Sequence, residues 1–331
     1  MLRSFVRWLQ PALLLVALLA VAWFLRQQWP ALRSYPWRFD AVWFTAACAS
    51  LVVTWAVEVG IWRAVLRMVG GELGYWPAVR IWFLSAVVRY VPGNIWQPLS
   101  LTLYGRRYGI AAEATVTSIA LYQVVILLAA APLAAVYFVW IDTQTLLAQL
   151  LGQVHWLVAL AAAVPLGVFV ARPGLFMALL NWGLARMGRP QLTIRLSGPG
   201  LLALIVAAII DWLLWGSTFA AFVFALVGAG IPDLRGLWPQ LMLSYPIAYA
   251  IGFLSLLTPS GFGVREGAFF LLLVPRLDGA VVTVVALAMR LWTTVGELLF
   301  ALLSAPFERG LPVTPAVVPK GFPPDLGGKL T

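Results

Sequence analysis

Arg89-Tyr-Val-Pro-Gly-Asn-Ile-Trp-Gln97 interrupts one long apolar region of the chain, and Thr258-Pro-Ser-Gly-Phe-Gly-Val-Arg-Glu266 interrupts another. Each places Pro and Gly beside an arginine. Proline removes a backbone donor and glycine loosens the chain, so each stretch predicts a broken helix. At membrane depth, broken backbone is tolerated only where protein buries it or a wet cavity receives it. Two such breaks in different halves of a hydrophobic chain point to a transport site.

The flanking sequence supplies the membrane reading. The 331 residues are 63% hydrophobic and only 10% charged, with a mean hydropathy of +0.94. Ala114–Ile141, Thr143–Ala171 and Gly236–Val264 contain no Asp, Glu, Lys or Arg. Each exceeds the roughly 20 apolar residues that span a bilayer. The expected architecture is an all-α polytopic integral membrane protein, with about seven to eight transmembrane helices plus two Pro/Gly-broken re-entrant elements. Residues 1–305 are expected to form one transmembrane domain, and 306–331 a Pro-rich, disordered tail.

In chain order, Trp8–Leu25 reads as an uncleaved first helix, and Ala41–Leu66 as a span holding Glu58. Tyr75–Leu103 contains Arg80, Arg89 and the first break. Ala114–Trp140, Leu157–Val170 and Leu201–Val227 follow, the last interrupted by Asp211. Leu241–Leu257 leads into the second break. Gly267–Pro275 would reach only about 13 Å, against about 30 Å of hydrocarbon, so it reads as half of a re-entrant hairpin. Gly279–Ala305, with Arg290 and Glu297, is the last span. The connection Arg172–Gly200 holds four arginines and no acid, which marks it as cytoplasmic, and Leu175–Met187 inside it reads as a surface helix. By the same count Arg26–Asp40, with three arginines, falls outside, a conflict that the charge rule leaves standing.

The net charge of +10 fits positive-inside loops and anionic lipid headgroups, and nucleic acid is not expected as a partner. A single cysteine, Cys48, excludes an intrachain disulfide. The lone His155 reads as structural, and no Cys/His metal constellation, cofactor motif or phosphate-binding Gly-rich loop is present.

Charge within a span costs at least about 2.5 kcal/mol on insertion scales, so each such residue asks for a partner or a cavity. Arg290 and Glu297 are two helical turns apart and share a face. Ion pairs such as Arg290 with Glu266, or Arg265 with Glu297, would clamp helices together. Glu58 and Arg80 read as interfacial and snorkelling. Arg89 and Arg265 neighbour the breaks, where exposed helix amides suit a phosphate or carboxylate. Gly261 and Gly263 would let backbone approach such a group, and Asn94 and Gln97 add neutral donors. The expected substrate-binding set is Arg89, Pro92, Gly93, Asn94, Gln97, Pro259, Gly261, Gly263, Arg265, Glu266, Arg290 and Glu297, with no catalytic or metal-binding residue.

At these residues the chain resembles the flippase-like transmembrane-domain family of lysylphosphatidylglycerol synthases, as a stand-alone member. The likeness rests on Arg89-Tyr-Val-Pro-Gly, Gly105-Arg106 with Gly109, Tyr249-Ala-Ile-Gly252, Pro259-Ser-Gly-Phe-Gly-Val-Arg-Glu266, and Arg290 with Glu297. It extends over roughly residues 8–305. The resemblance implies a multi-pass protein of the inner (cytoplasmic) cell membrane that moves a lipid headgroup between leaflets. In the fused relatives a separate soluble domain makes the cargo, an aminoacylated phosphatidylglycerol. That domain has no counterpart here, so synthase activity is not carried over. Where the family often has a Glu-Arg-like pair, this chain has the uncharged Ala120-Leu-Tyr-Gln-Val124, so an identical cargo is not carried over either.

The leading expectation is therefore a non-enzymatic, flippase-like carrier of an anionic or aminoacylated phospholipid, or of a polyprenyl-linked sugar, through a polar groove. With no nucleotide-binding motif, movement would be downhill or ion-coupled. A membrane glycosyltransferase would need external acids beyond Asp40, Asp142 and Asp233. An accessory or scaffold subunit working with envelope-synthesis enzymes would use the buried charges only structurally. A small-anion channel would show conductance.

Overall fold

The computed structural model describes residues 26, 29–34, 37–90, 96–141, 155–186, 197–227, 234–255, 261–274 and 276–304. Among them every regular element is helical. The order is α1 (Trp29–Ser34), α2 (Ala41–Met68), α3 (Tyr75–Ala86), a 3-10 turn (Val87–Tyr90), α4 (Trp96–Arg107) and α5 (Ala112–Val136), which continues as a π-helical turn (Tyr137–Ile141). Then come α6 (His155–Ala171), α7 (Pro173–Arg186), α8 (Gly198–Val227), α9 (Leu234–Leu254), α10 (Val264–Leu273) and α11 (Gly279–Ser304).

Four stretches among the described residues are long and apolar enough to cross a membrane: Ala41–Met68, Ala112–Ile141, Gly198–Val227 and Gly279–Ser304. The expected first span, Trp8–Leu25, lies outside the described residues, as does the expected tail. The helix expected over Leu175–Met187 forms as α7, two residues earlier at its start.

Lipid gives helices no hydrophobic reason to associate, so small residues and hydrogen bonds must hold them. α2 and α8 lie against each other through hydroxyls. Ser50 Oγ and Thr218 Oγ1 are 2.7 Å apart, and Thr54 Oγ1 donates to the Ser50 carbonyl at 2.8 Å. The Trp212 indole of α8 donates to the Ile126 carbonyl of α5 at 2.8 Å. The Tyr137 hydroxyl donates to the Leu272 carbonyl at 2.7 Å, tying the π turn to α10. At Gly216 an added Cβ would lie 2.0 Å from the Met242 carbonyl oxygen, so only glycine lets α8 and α9 approach this closely. The outer faces are apolar: Val52, Val53, Val206, Ile210, Val295, Leu299 and Leu302 are exposed. That is the pattern lipid contact requires.

Both expected breaks interrupt helices. α3 tightens into the 3-10 turn at Val87–Tyr90, and helix resumes at Trp96. α9 ends at Leu254, and α10 begins at Val264 after Gly261 and Gly263, whose φ values are +65° and +82°. α10 is ten residues long, about 15 Å, too short to cross a bilayer alone. Arg80 departs from expectation. It is 7% exposed inside the bundle, with interactions of its own, because α3 packs against α2, α4 and α11.

Candidate functional site

Any helix start leaves four amides unpaired, and α10 satisfies one of them with its own glutamate. Glu266 Oε2 accepts from the Gly263 amide at 2.7 Å, while Oε1 accepts from Arg290 Nη1 of α11 at 2.9 Å. The ion-paired side chains are 5% and 17% exposed. The guanidinium of Arg290 also lies over the Phe262 ring, 5.0 Å from its centroid. The clamp between Arg290 and Glu266 foreseen from the sequence thus forms, and it fixes the start of α10 to the last span.

Arg265, one residue before, faces the other way. Its guanidinium lies 4.6 Å from the Tyr245 ring centroid, 5.9 Å from Tyr249 and 5.7 Å from Phe269. Tyr245 is stacked on Trp215 at 5.3 Å. The arginine is thereby held by aromatic faces, which leaves guanidinium N–H groups for another acceptor.

Arg265 and Arg290 open on one cavity of about 480 Å³. α4, which follows the first break, contributes Gln97, Pro98 and Leu101 to its wall; the second break contributes Gly261. Segments adjoining the two breaks therefore line a single space, which the sequence left undecided. Glu297 lines it from α11, beside Thr293 and Thr294.

Of the expected site residues, Gln97, Gly261, Arg265, Arg290 and Glu297 line the cavity. Glu266 and Gly263 stand behind it, bonded to each other. At Gly261 a Cβ would lie 2.7 Å from the Gly252 carbonyl oxygen, so packing by itself requires glycine there. Pro92, Gly93, Asn94 and Pro259 lie outside the described residues. Arg89 is placed by its backbone alone, in the 3-10 turn.

The opposite wall was missed. Glu58, read as interfacial, lines the cavity and accepts from the Tyr122 hydroxyl at 3.2 Å. The helix α2 turns it inward because the residues at 55, 59 and 62, on adjoining parts of its surface, are core. Tyr122 and Gln123 come from the very stretch noted for its lack of charge. Asp211 lines the cavity at 2% exposure, and its Oδ1, like Gln123 Nε2, has no hydrogen-bond partner among the described residues. Trp62, Trp82, Trp212, Trp215 and Tyr249 complete the wall with aromatic surface. The one signal in sequence was Asp211 itself, an acid in the middle of a 30-residue helix with no other charge.

The cavity is thus two-signed. Guanidiniums project from α10 and α11, carboxylates from α2, α8 and α11. Such a lining can hold a small polar or charged group inside an otherwise apolar bundle.

Fold and cavity together define a multi-pass α-helical membrane protein built around a buried polar site. The family model described as the lysylphosphatidylglycerol synthase TM region matches residues 10–301, and the chain belongs to that family. Its lipid-related character fits the membrane reading. A search of curated proteins found no match.

Proposed function

We propose that this protein moves a lipid headgroup between leaflets, the headgroup passing through the two-signed cavity while its tails stay in the bilayer. The observation that carries this reading is the joining of both broken segments on one cavity that holds Arg265 and Arg290. Arg265, held on the rings of Tyr245, Tyr249 and Phe269, is the phosphate-binding group, for which a guanidinium's planar fork is suited. Arg290, fixed by Glu266, supports it from α11. Gln97, Thr293 and Thr294 supply neutral hydrogen bonds. In this reading α3–α4 and α10 are re-entrant elements and the full bundle has seven to eight spans, set in the inner cell membrane. The protein works as a carrier, not an enzyme, without a cofactor, on an anionic or aminoacylated phospholipid or a polyprenyl-linked sugar.

The test is leaflet exchange of fluorescent phosphatidylglycerol, its lysyl ester and phosphatidylethanolamine in proteoliposomes, read by dithionite quenching. Exchange should be fast with the unmodified chain and fall about tenfold to a hundredfold in Arg265→Ala, the equivalent of about 1.4–3 kcal/mol for a lost charge-assisted contact. No exchange above empty liposomes, with folded protein confirmed, would remove these lipids as cargo and leave polyprenyl-linked sugars or a scaffold role.

A further inference from the structure

Among the described residues the cavity lining contains more acid than base. Its lining holds the carboxyls Glu58, Asp211 and Glu297 against the guanidiniums Arg265 and Arg290, and Arg290 is already bonded to Glu266 behind the wall. The acids are not equally supported. Glu58 accepts from Tyr122, and Glu297 has interactions of its own. Glu266 has both oxygens bonded. Asp211 is 2% exposed, lines the cavity, and has an oxygen with no partner among the described residues. Glu58 lines the same cavity as Asp211, so two carboxyls share one space.

Most elements packed on α8 bring further polar or charged groups to the cavity. From α2 comes Glu58; from α5, Tyr122; from α9, Tyr245 and Tyr249; from α11, Arg290 and Glu297. α6 also packs on α8 and contributes nothing to the lining. Arg265, from α10, is engaged with the rings of Tyr245 and Tyr249. Among the described residues no arginine is bonded to Asp211. Without a headgroup an ionised Asp211 is balanced by the guanidiniums of Arg265 and Arg290 in the same lining. Once those face a headgroup it would be an uncompensated buried charge with an empty oxygen, whereas a protonated Asp211 is neutral and becomes a donor. An anionic headgroup entering the cavity adds one more negative charge to a lining already rich in acid.

We propose that Asp211 is a proton-binding site of this cavity, taking one proton from the aqueous phase when an anionic headgroup enters and returning it when the headgroup leaves. The step is a simple proton transfer between water and the Asp211 carboxylate, with no change of oxidation state. It couples lipid movement to protons in a chain without a nucleotide-binding motif. It rests on the headgroup reading of the cavity.

The experiment has two arms. In proteoliposomes at equal internal and external pH, exchange of fluorescent phosphatidylglycerol is followed across a pH series for the unmodified chain, Asp211→Asn and Asp211→Glu. Above the titration of one required proton, the protonated fraction falls about tenfold per pH unit, and the rate should follow it. Asp211→Asn, permanently neutral, should exchange with no such slope, and Asp211→Glu should restore one. In the second arm, infrared difference spectra are recorded on detergent-solubilised protein as short-chain phosphatidylglycerol is added. A protonated-carboxyl carbonyl band should appear in the unmodified chain and be missing in Asp211→Asn. The same pH slope in Asp211→Asn, or a band that survives in it, overturns the proposal. A band that Asp211→Asn removes, with no exchange by any variant, keeps the proton site and overturns the transport reading. Exchange without slope or band does the reverse.

Discussion

Glu266 shows how one side chain can be essential to a site without entering it. Its two oxygens bond the Gly263 amide and Arg290, so it caps α10 and anchors α11 at once. Glu266→Ala strands a guanidinium that is 17% exposed and uncaps the helix. Removing one partner of such a buried pair is expected to destabilise by about 3 kcal/mol or more, read as a lowered thermal midpoint in detergent. Glu266→Gln keeps an acceptor for the Gly263 amide and should lie between the two. If both variants melt like the unmodified chain, the clamp does not hold α10. Gly263 adds a second constraint at the same place. Its φ of +82° lies where a side chain is strained, which suits glycine at this helix start.

At the scale of elements, α8 packs directly against α9. Gly216 lets the Met242 backbone into contact, and Trp212 and Trp215, on the same helix, present aromatic faces to Tyr245 and Tyr249. Gly216→Ala would drive a methyl into a backbone carbonyl that cannot swing aside. The expected cost is about 1–3 kcal/mol, as for other overpacked cores. Gly60→Ala is the control, because nothing lies within 4 Å of a Cβ there, and it should be neutral or slightly stabilising. Parallel thermal melts of the two variants decide it: equal effects would mean that the close approach of α8 and α9 is not a packing requirement. The shortness of α10 belongs to this scale too. Ten residues cannot span the hydrocarbon, so the element gains its place from the Tyr137 hydroxyl, the Arg290 pair and the stacking of Phe219 on Phe269 at 4.6 Å.

For the molecule as a whole, the cavity is one compartment walled by α2, α3, α4, α5, α8, α9 and α11 together with the start of α10. Cysteines placed at Gln97 and at Thr293, each in a Cys48→Ala background, should therefore react with a membrane-impermeant maleimide from the same side of sealed vesicles. Labelling of the two from opposite sides would show that the broken segments open on different faces.

The membrane class, the two breaks and the family were legible in the sequence because each is written locally. Uncharged stretches longer than a bilayer is thick, a Pro-Gly pair, and a Pro-x-Gly-x-Gly run keep their meaning wherever the helices go. The Arg290 clamp was legible as one of two pairings, since a buried charge must be paired with something. The acid wall was not legible. Glu58 lies at a depth that sequence cannot assign, and Tyr122 and Gln123 carry no charge to draw notice. Which residues share a cavity depends on how each helix is rotated about its axis, and that rotation is set by contacts between distant segments, such as Gly216 with Met242 and Trp212 with Ile126. The sequence by itself determined that this is a polytopic helical membrane protein with two interrupted segments, because hydropathy and backbone chemistry act residue by residue. Only the tertiary structure decided that those segments line one cavity and that Asp211 faces them across it, because helix rotation and depth are properties of the packed bundle.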